Sequence, residues 1–171
     1  KVSCLEIGHV QVNPQGLPCG CGRVGCLETE ASRLAIAAAA AAAACRGAAP
    51  QLLKLAGTEV AQIRSRVLAE AVQAGDEVVE QIVRRAARLI GQVVGDVVNI
   101  LVPDVVVLGG GLVEAMPELL VSEVERAARQ RAAPPFSKTF QVAAAKLGDD
   151  AVARGAAAWA EAMQEAMAHT G

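Results

Sequence analysis

Tyrosine is absent from this chain, and two phenylalanines and one tryptophan are its only aromatic residues. That leaves few platforms on which bases or sugar rings could stack. An excess of positive charge is also missing. The formal net charge is −2, the wrong sign for an electrostatic nucleic-acid footprint, so no nucleic-acid contact is expected through this segment. Apolar runs of membrane-spanning length are lacking as well. The longest, Leu34 to Cys45, is too short and too rich in alanine for a span of roughly 20 strongly apolar residues. No signal-peptide pattern precedes it. The expectation is a cytoplasmic protein with no membrane partner. Finally, there is no even set of cysteines. Five are present, three of them between positions 19 and 26, which suits a metal site better than a disulfide framework.

What remains is a chain of 171 residues, 53% of them hydrophobic, enough to bury a sizeable core as one domain or as part of a bilobal protein. It opens at Lys1 directly in strand-like alternation, as a fragment or processed piece would. Val2 to Val12 alternates loosely and predicts a strand ending at Asn13-Pro14. The alanines of Thr29 to Arg46 predict a helix ended by Gly47 and Pro50. Apolar stripes predict further helices over Thr58–Ala74 and Asp76–Leu101. Asp104 to Leu108, short and wholly apolar, reads as a buried strand. A helix over Pro117–Arg131, a strand over Phe140–Leu147 and a helix over Asp149–Ala168 complete an α/β pattern.

The turn-rich stretch Asn13 to Gly25 has two prolines and four glycines and no periodic pattern. A loop of this length needs something to hold it. Within it, Cys19-Gly-Cys21-Gly-Arg-Val-Gly-Cys26 offers three soft thiolates, and His9 precedes them on the expected strand. A Cys3His set is a common closed zinc site, and intervening glycines let the backbone wrap an ion. A structural rather than catalytic Zn2+ follows. Two other readings stay open: the cysteines are buried free thiols, or Cys19 and Cys26 form a disulfide. Cys4 and Cys45 have no partner spacing and read as core fillers.

Taken together, Glu6-Ile-Gly-His9, Pro14-x-Gly16 and Cys19-x-Cys-Gly-x-x-Gly-Cys-Leu-Glu28 resemble the signature of the ROK family of bacterial sugar kinases and sugar-responsive repressors. The pattern departs at Leu5, where the family usually has glycine. The resemblance implies an actin-like (ribonuclease H-like) ATPase-type fold, with this chain as the C-terminal lobe of a two-lobed sugar kinase. It divides the chain into a strand and zinc loop (1–28), a helical segment (29–102) and a nucleotide-site segment (103–171). It makes Glu6 and Glu28 acceptors for sugar hydroxyls and has His9 shared between sugar and zinc.

Gly109-Gly110-Gly111, following a short strand, is by itself no more than a tight turn, and no Walker loop is present. The resemblance makes it part of an ATP site. The phosphate-binding segment and catalytic Asp of the family precede the zinc loop, so no catalytic residue is expected in this chain. ATP and Mg2+ then belong to the full-length kinase only. The implied partners are a hexose or amino sugar and the N-terminal half of the same protein, while the apolar helices themselves suggest a homo-oligomer. A sugar-sensing transcriptional repressor, with its DNA-binding domain upstream, is the alternative.

Overall fold

The computed structural model describes residues 5–168. The expectations for Val2 and Cys4 lie outside the described residues. The chain after the loop is mostly helical: α1 (Leu27–Ala31), α2 (Arg33–Cys45), α3 (Pro50–Ala56), α4 (Ser65–Gln73) and α5 (Glu77–Leu101). Then come β1 (Val105–Leu108), α6 (Gly111–Ala115), α7 (Pro117–Arg131), β2 (Gln141–Ala144) and α8 (Ala151–Ala168).

α5 is the spine. Its stripe of Val79, Val83, Ala86, Val93, Val94 and Val98 is buried, and fully burying one such valine stabilises the fold by about 1.5–3 kcal/mol. α7 lies against it through Leu120, Val124, Ala127 and Ala128. The approach is close because α5 carries glycine at the contact. A Cβ on Gly91 would stand 2.5 Å from the Val124 carbonyl oxygen, and one on Gly95 would stand 2.8 Å from that of Ala128. The alanine face of α2 (Ala37, Ala40, Ala41, Ala44) packs on the same core with Ile36.

β1 and β2 pair in parallel, Val105 opposite Gln141 through Leu108 opposite Ala144. The connection between them runs through α6 and α7, as a parallel pair requires. β1 was expected to be buried, but Val105 and Val107 are more than half exposed. Among the described residues the sheet has two strands, so one face of β1 has nothing over it.

Four other expectations about the elements are corrected. No strand occupies the described part of Val2–Val12: Leu5 has φ +54, and Ile7–His9 form one 3-10 turn. The local hydrogen bonds His9 N–H to Glu6 O and Val10 N–H to Ile7 O take the place of a strand ladder. The helix expected over Thr29–Arg46 breaks at Ser32, whose extended backbone (ψ 158°) ends α1 and whose hydroxyl caps α2 by accepting from Ala35 N–H. The helix expected from Thr58 begins only at Ser65. Pro50 opens α3 rather than closing a helix, since proline is well placed at a first helical position.

α3 draws its cap from far along the chain. The buried Asp76 carboxylate accepts from Gln51 N–H at 3.2 Å and Leu52 N–H at 2.6 Å. Cys45 is exposed rather than a core filler. No single helix among the described residues is long and apolar enough to cross a membrane.

Candidate metal centre and ligand site

The loop 13–25 is not structureless. Val12 N–H and Asn13 N–H both donate to Gly25 O, Gly25 N–H donates to Leu17 O, and Cys19 N–H to Arg23 O. Bridges Gln11 to Cys26 and Pro18 to Val24 fold it back on itself. Gly25 (φ +64) permits the return, because a side chain there would run into the Asn13 carbonyl. Outside, Asn13 Nδ2 donates to Glu30 Oε1 at 2.9 Å, and Arg85 of α5 holds Glu30 Oε2 at 2.8 Å. Backbone pairing and an ion pair to α5 therefore hold the loop alongside its cysteines. His9 sits on the 3-10 turn, so it ties the loop to that turn and not to a sheet.

At the mouth of this fold the ligand atoms of His9, Cys19, Cys21 and Cys26 all lie within 4.8 Å of one another. Cys19 Sγ is 3.6 Å from His9 Nδ1, and Cys21 Sγ is 3.6 Å from Cys26 Sγ. Tetrahedral Zn–S and Zn–N bonds put neighbouring ligand atoms about 3.5–3.8 Å apart, so this donor set fits such an ion. The three cysteines are free, which removes the Cys19–Cys26 disulfide. Cys19 and Cys26 are buried and Cys21 is exposed. The Cys21 thiol is pulled down to about 6, chiefly by hydrogen bonding from the Arg23 backbone and then from its side chain. Desolvation pushes the Cys26 thiol up to about 11. Cys21 is thus the most readily ionised thiol of the cluster, and the thiolate is the form in which cysteine binds a metal. Arg23 was not singled out in the sequence; its place between Cys21 and Cys26 was the available signal.

The acids flank this cluster. Glu6 opens the turn that carries His9, and Gly8 of the same turn faces Glu28: a Cβ there would stand 3.8 Å from Glu28 Cβ. Glu28, on the first turn of α1, places Oε2 3.6 Å from His9 Nδ1 and 3.9 Å from Cys19 Sγ. Glu6 and Glu28 are exposed and His9 half-buried. Glu28 and His9 together offer a carboxylate acceptor and an imidazole side by side, chemistry suited to hydroxyl groups.

Gly109–Gly111 stand apart from that surface, at the carboxyl end of β1. Gly110 has φ +103, which favours glycine, and Gly111 starts α6. Gly111 is close to Ser65, whose Oγ would lie 3.4 Å from a Cβ at that position. The two residues are 46 positions apart, and the sequence carries no local signal of the contact.

The family model described as "ROK family" matches residues 4–163. A glucokinase of Thermotoga maritima is 32% identical over 152 residues, covering 89% of this chain and 47% of that protein. The DNA-binding transcriptional repressor Mlc of Escherichia coli is 29% identical, covering 94% of this chain and 38% of the repressor. Among solved structures, a ROK family glucokinase from Streptomyces griseus, in complex with glucose and AMPPNP, superposes with a TM-score of 0.73 at 34% identity. That match covers 85% of this chain and 47% of the other. The chain thus spans less than half the length of each of these relatives.

Proposed function

Because the chain belongs to the ROK family and has its actin-like fold, we propose that it is the C-terminal part of an ATP-dependent hexose kinase of the glucokinase type. Such an enzyme transfers the γ-phosphate of ATP to a sugar hydroxyl. The observation that carries this reading is that the thiol cluster and Glu28 form one unit. The His9 Nδ1 that faces Cys19 Sγ also lies 3.6 Å from Glu28 Oε2. In this reading His9, Cys19, Cys21 and Cys26 hold Zn2+, which supplies rigidity and no acid–base chemistry. With Nδ1 turned to the cluster, the His9 ring is fixed and Nε2 is left for a sugar hydroxyl. Glu6 and Glu28 accept from neighbouring hydroxyls.

Gly109–Gly111 receive the adenosine end of ATP, since glycine lets a backbone approach a nucleotide closely. The base, the phosphate-gripping segment and the Mg2+ site belong to the rest of the polypeptide, so this segment alone phosphorylates nothing. The intact protein works in the cytoplasm as a homo-oligomer.

A second reading is a sugar-sensing repressor with its DNA-binding domain upstream, favoured by similarity to Mlc along 94% of this chain. One assay on the intact polypeptide separates them. Glucose, N-acetylmannosamine and fructose are each incubated with ATP and Mg2+, and sugar phosphate is measured. The kinase reading expects saturable formation of one sugar phosphate. Sugar binding without any phosphate transfer, together with operator DNA released by sugar, would replace it with the repressor reading.

A further inference from the structure

Three arginines converge where the sequence showed no pattern. Arg33 at the start of α2, Arg64 and Arg66 at the start of α4, Ser65, Gly111 and Glu114 line one open cavity of about 920 Å3. That volume is in the range of small-molecule sites, roughly 300–1,000 Å3. Three guanidiniums face one carboxylate there, in a chain whose net charge is −2.

The surplus is local. Every arginine of α5 and α7 is matched to an acid: Arg84 and Arg88 to Glu123, Arg85 to Glu30, Arg126 to Glu123, Arg129 to Glu125 and Arg131 to Asp96. In the cavity only Arg66 has an acid partner, Glu70 on its own helix, in a pair that is 90% exposed on the arginine side. Arg33 and Arg64 have no carboxylate partner among the described residues. The first turn of α4 has no side-chain cap, which leaves its amide hydrogens and the positive end of its dipole beside those arginines. Planar guanidiniums match phosphate oxygens two at a time.

The cavity reaches the proposed nucleotide segment, because Gly111 lines it and lies against Ser65. We propose that Arg33, Arg64 and Arg66 form a phosphate-binding wall, taking the phosphates of the nucleotide whose adenosine end meets Gly109–Gly111. This rests on the nucleotide reading given above, and adds residues and a charge role to it.

The test uses the intact polypeptide with ATP, adenosine and inorganic tripolyphosphate as probes, their affinities measured by calorimetry. Arg33→Gln with Arg64→Gln should weaken ATP roughly tenfold or more, the scale of one or two lost charge-assisted contacts. Adenosine should stay within about twofold of the parent. Arg33→Lys with Arg64→Lys, which keeps both charges, should recover most of the ATP affinity and guards against a folding defect.

ATP affinity within twofold of the parent in the glutamine variant would overturn the wall and leave the nucleotide reading standing, provided adenosine still binds. Loss of tripolyphosphate alone, with ATP unaffected, would equally overturn it, by making the cavity a separate anion site. If the unaltered protein binds neither ATP nor adenosine, the nucleotide reading fails and the wall with it.

Discussion

Leu5 holds a left-handed backbone (φ +54) immediately before Glu6, at the position where the family signature has glycine. For a residue with a Cβ that conformation costs about 1–2 kcal/mol. Leu5→Gly relieves it, less the extra freedom glycine gives the unfolded chain, and the half-exposed leucine side chain gives up little burial. The expected gain is roughly 0.5–1 kcal/mol, read as a higher urea midpoint at unchanged slope. A lower midpoint would show that this turn is not strained.

The thiols next door carry a larger effect. With zinc bound, Cys21→Ser should drop metal content from about one ion per chain and lower the melting temperature by roughly 5–10 °C. Chelation of the parent should reproduce that loss. An unchanged melting curve with metal retained would remove the metal from the folding argument. The grouping of His9, Cys19, Cys21 and Cys26 was legible because their spacing is a local property. Gly25, Arg85 and Glu30 were not, since what holds the loop is a carbonyl too close for a side chain and an ion pair across 55 positions.

Helices α5 and α7 are joined by packing, by the Arg131–Asp96 ion pair and by a second, more buried acid. Glu123, with its side chain only 11% exposed, meets Arg84 at 2.7 Å and Arg126 at 2.6 Å. Its carboxyl is held below the ordinary glutamate value, first by the hydrogen bond from Arg126 and then by that from Arg84, against desolvation. A carboxyl depressed on folding contributes stability that is fully present above its unfolded pKa, about 4.3, and lost as pH falls through its folded value. Glu123→Gln should therefore lower stability by about 1–3 kcal/mol at pH 7, and the gap should narrow below about pH 4. Urea titrations of both proteins at pH 7 and pH 3 measure it; a gap that persists undiminished at the lower pH would assign the loss to shape rather than charge.

At this scale the sequence served well wherever a stop signal was unambiguous. α7 runs from Pro117 to Arg131 as expected, because proline fixes its first turn. It failed at Ser32, where a serine inside an alanine run looks like a tolerated helix residue and is in fact a cap. It failed again at Pro50, because the acid that caps α3, Asp76, lies beyond α4.

The molecule as a whole buries one side and leaves another open. Val105 and Val107 of β1, with Ile100, Leu101 and Val102 just before it, are all exposed. The described residues of α8 through Gln164 are exposed throughout, Trp159 and Val152 among them. The apolar composition of β1 implied burial, which the described residues do not give to Val105 and Val107, because composition cannot say which part of a polypeptide supplies a cover. Contiguous apolar surface of this kind marks a contact, and the relatives have more than half their length outside the match. In the kinase reading that remaining half covers β1 and α8. Prepared alone, these 171 residues should then bind a hydrophobic dye and self-associate with concentration, while the intact polypeptide binds far less dye. Replacing Val107 and Trp159 together by threonine and glutamine should suppress dye binding by the isolated segment, because both side chains already face water there. In the intact protein the same pair should lower the melting temperature, because both would be taken from a covered surface. If the pair leaves the intact protein's melting curve unchanged, neither residue is covered, and the two-lobed arrangement must close on a different face.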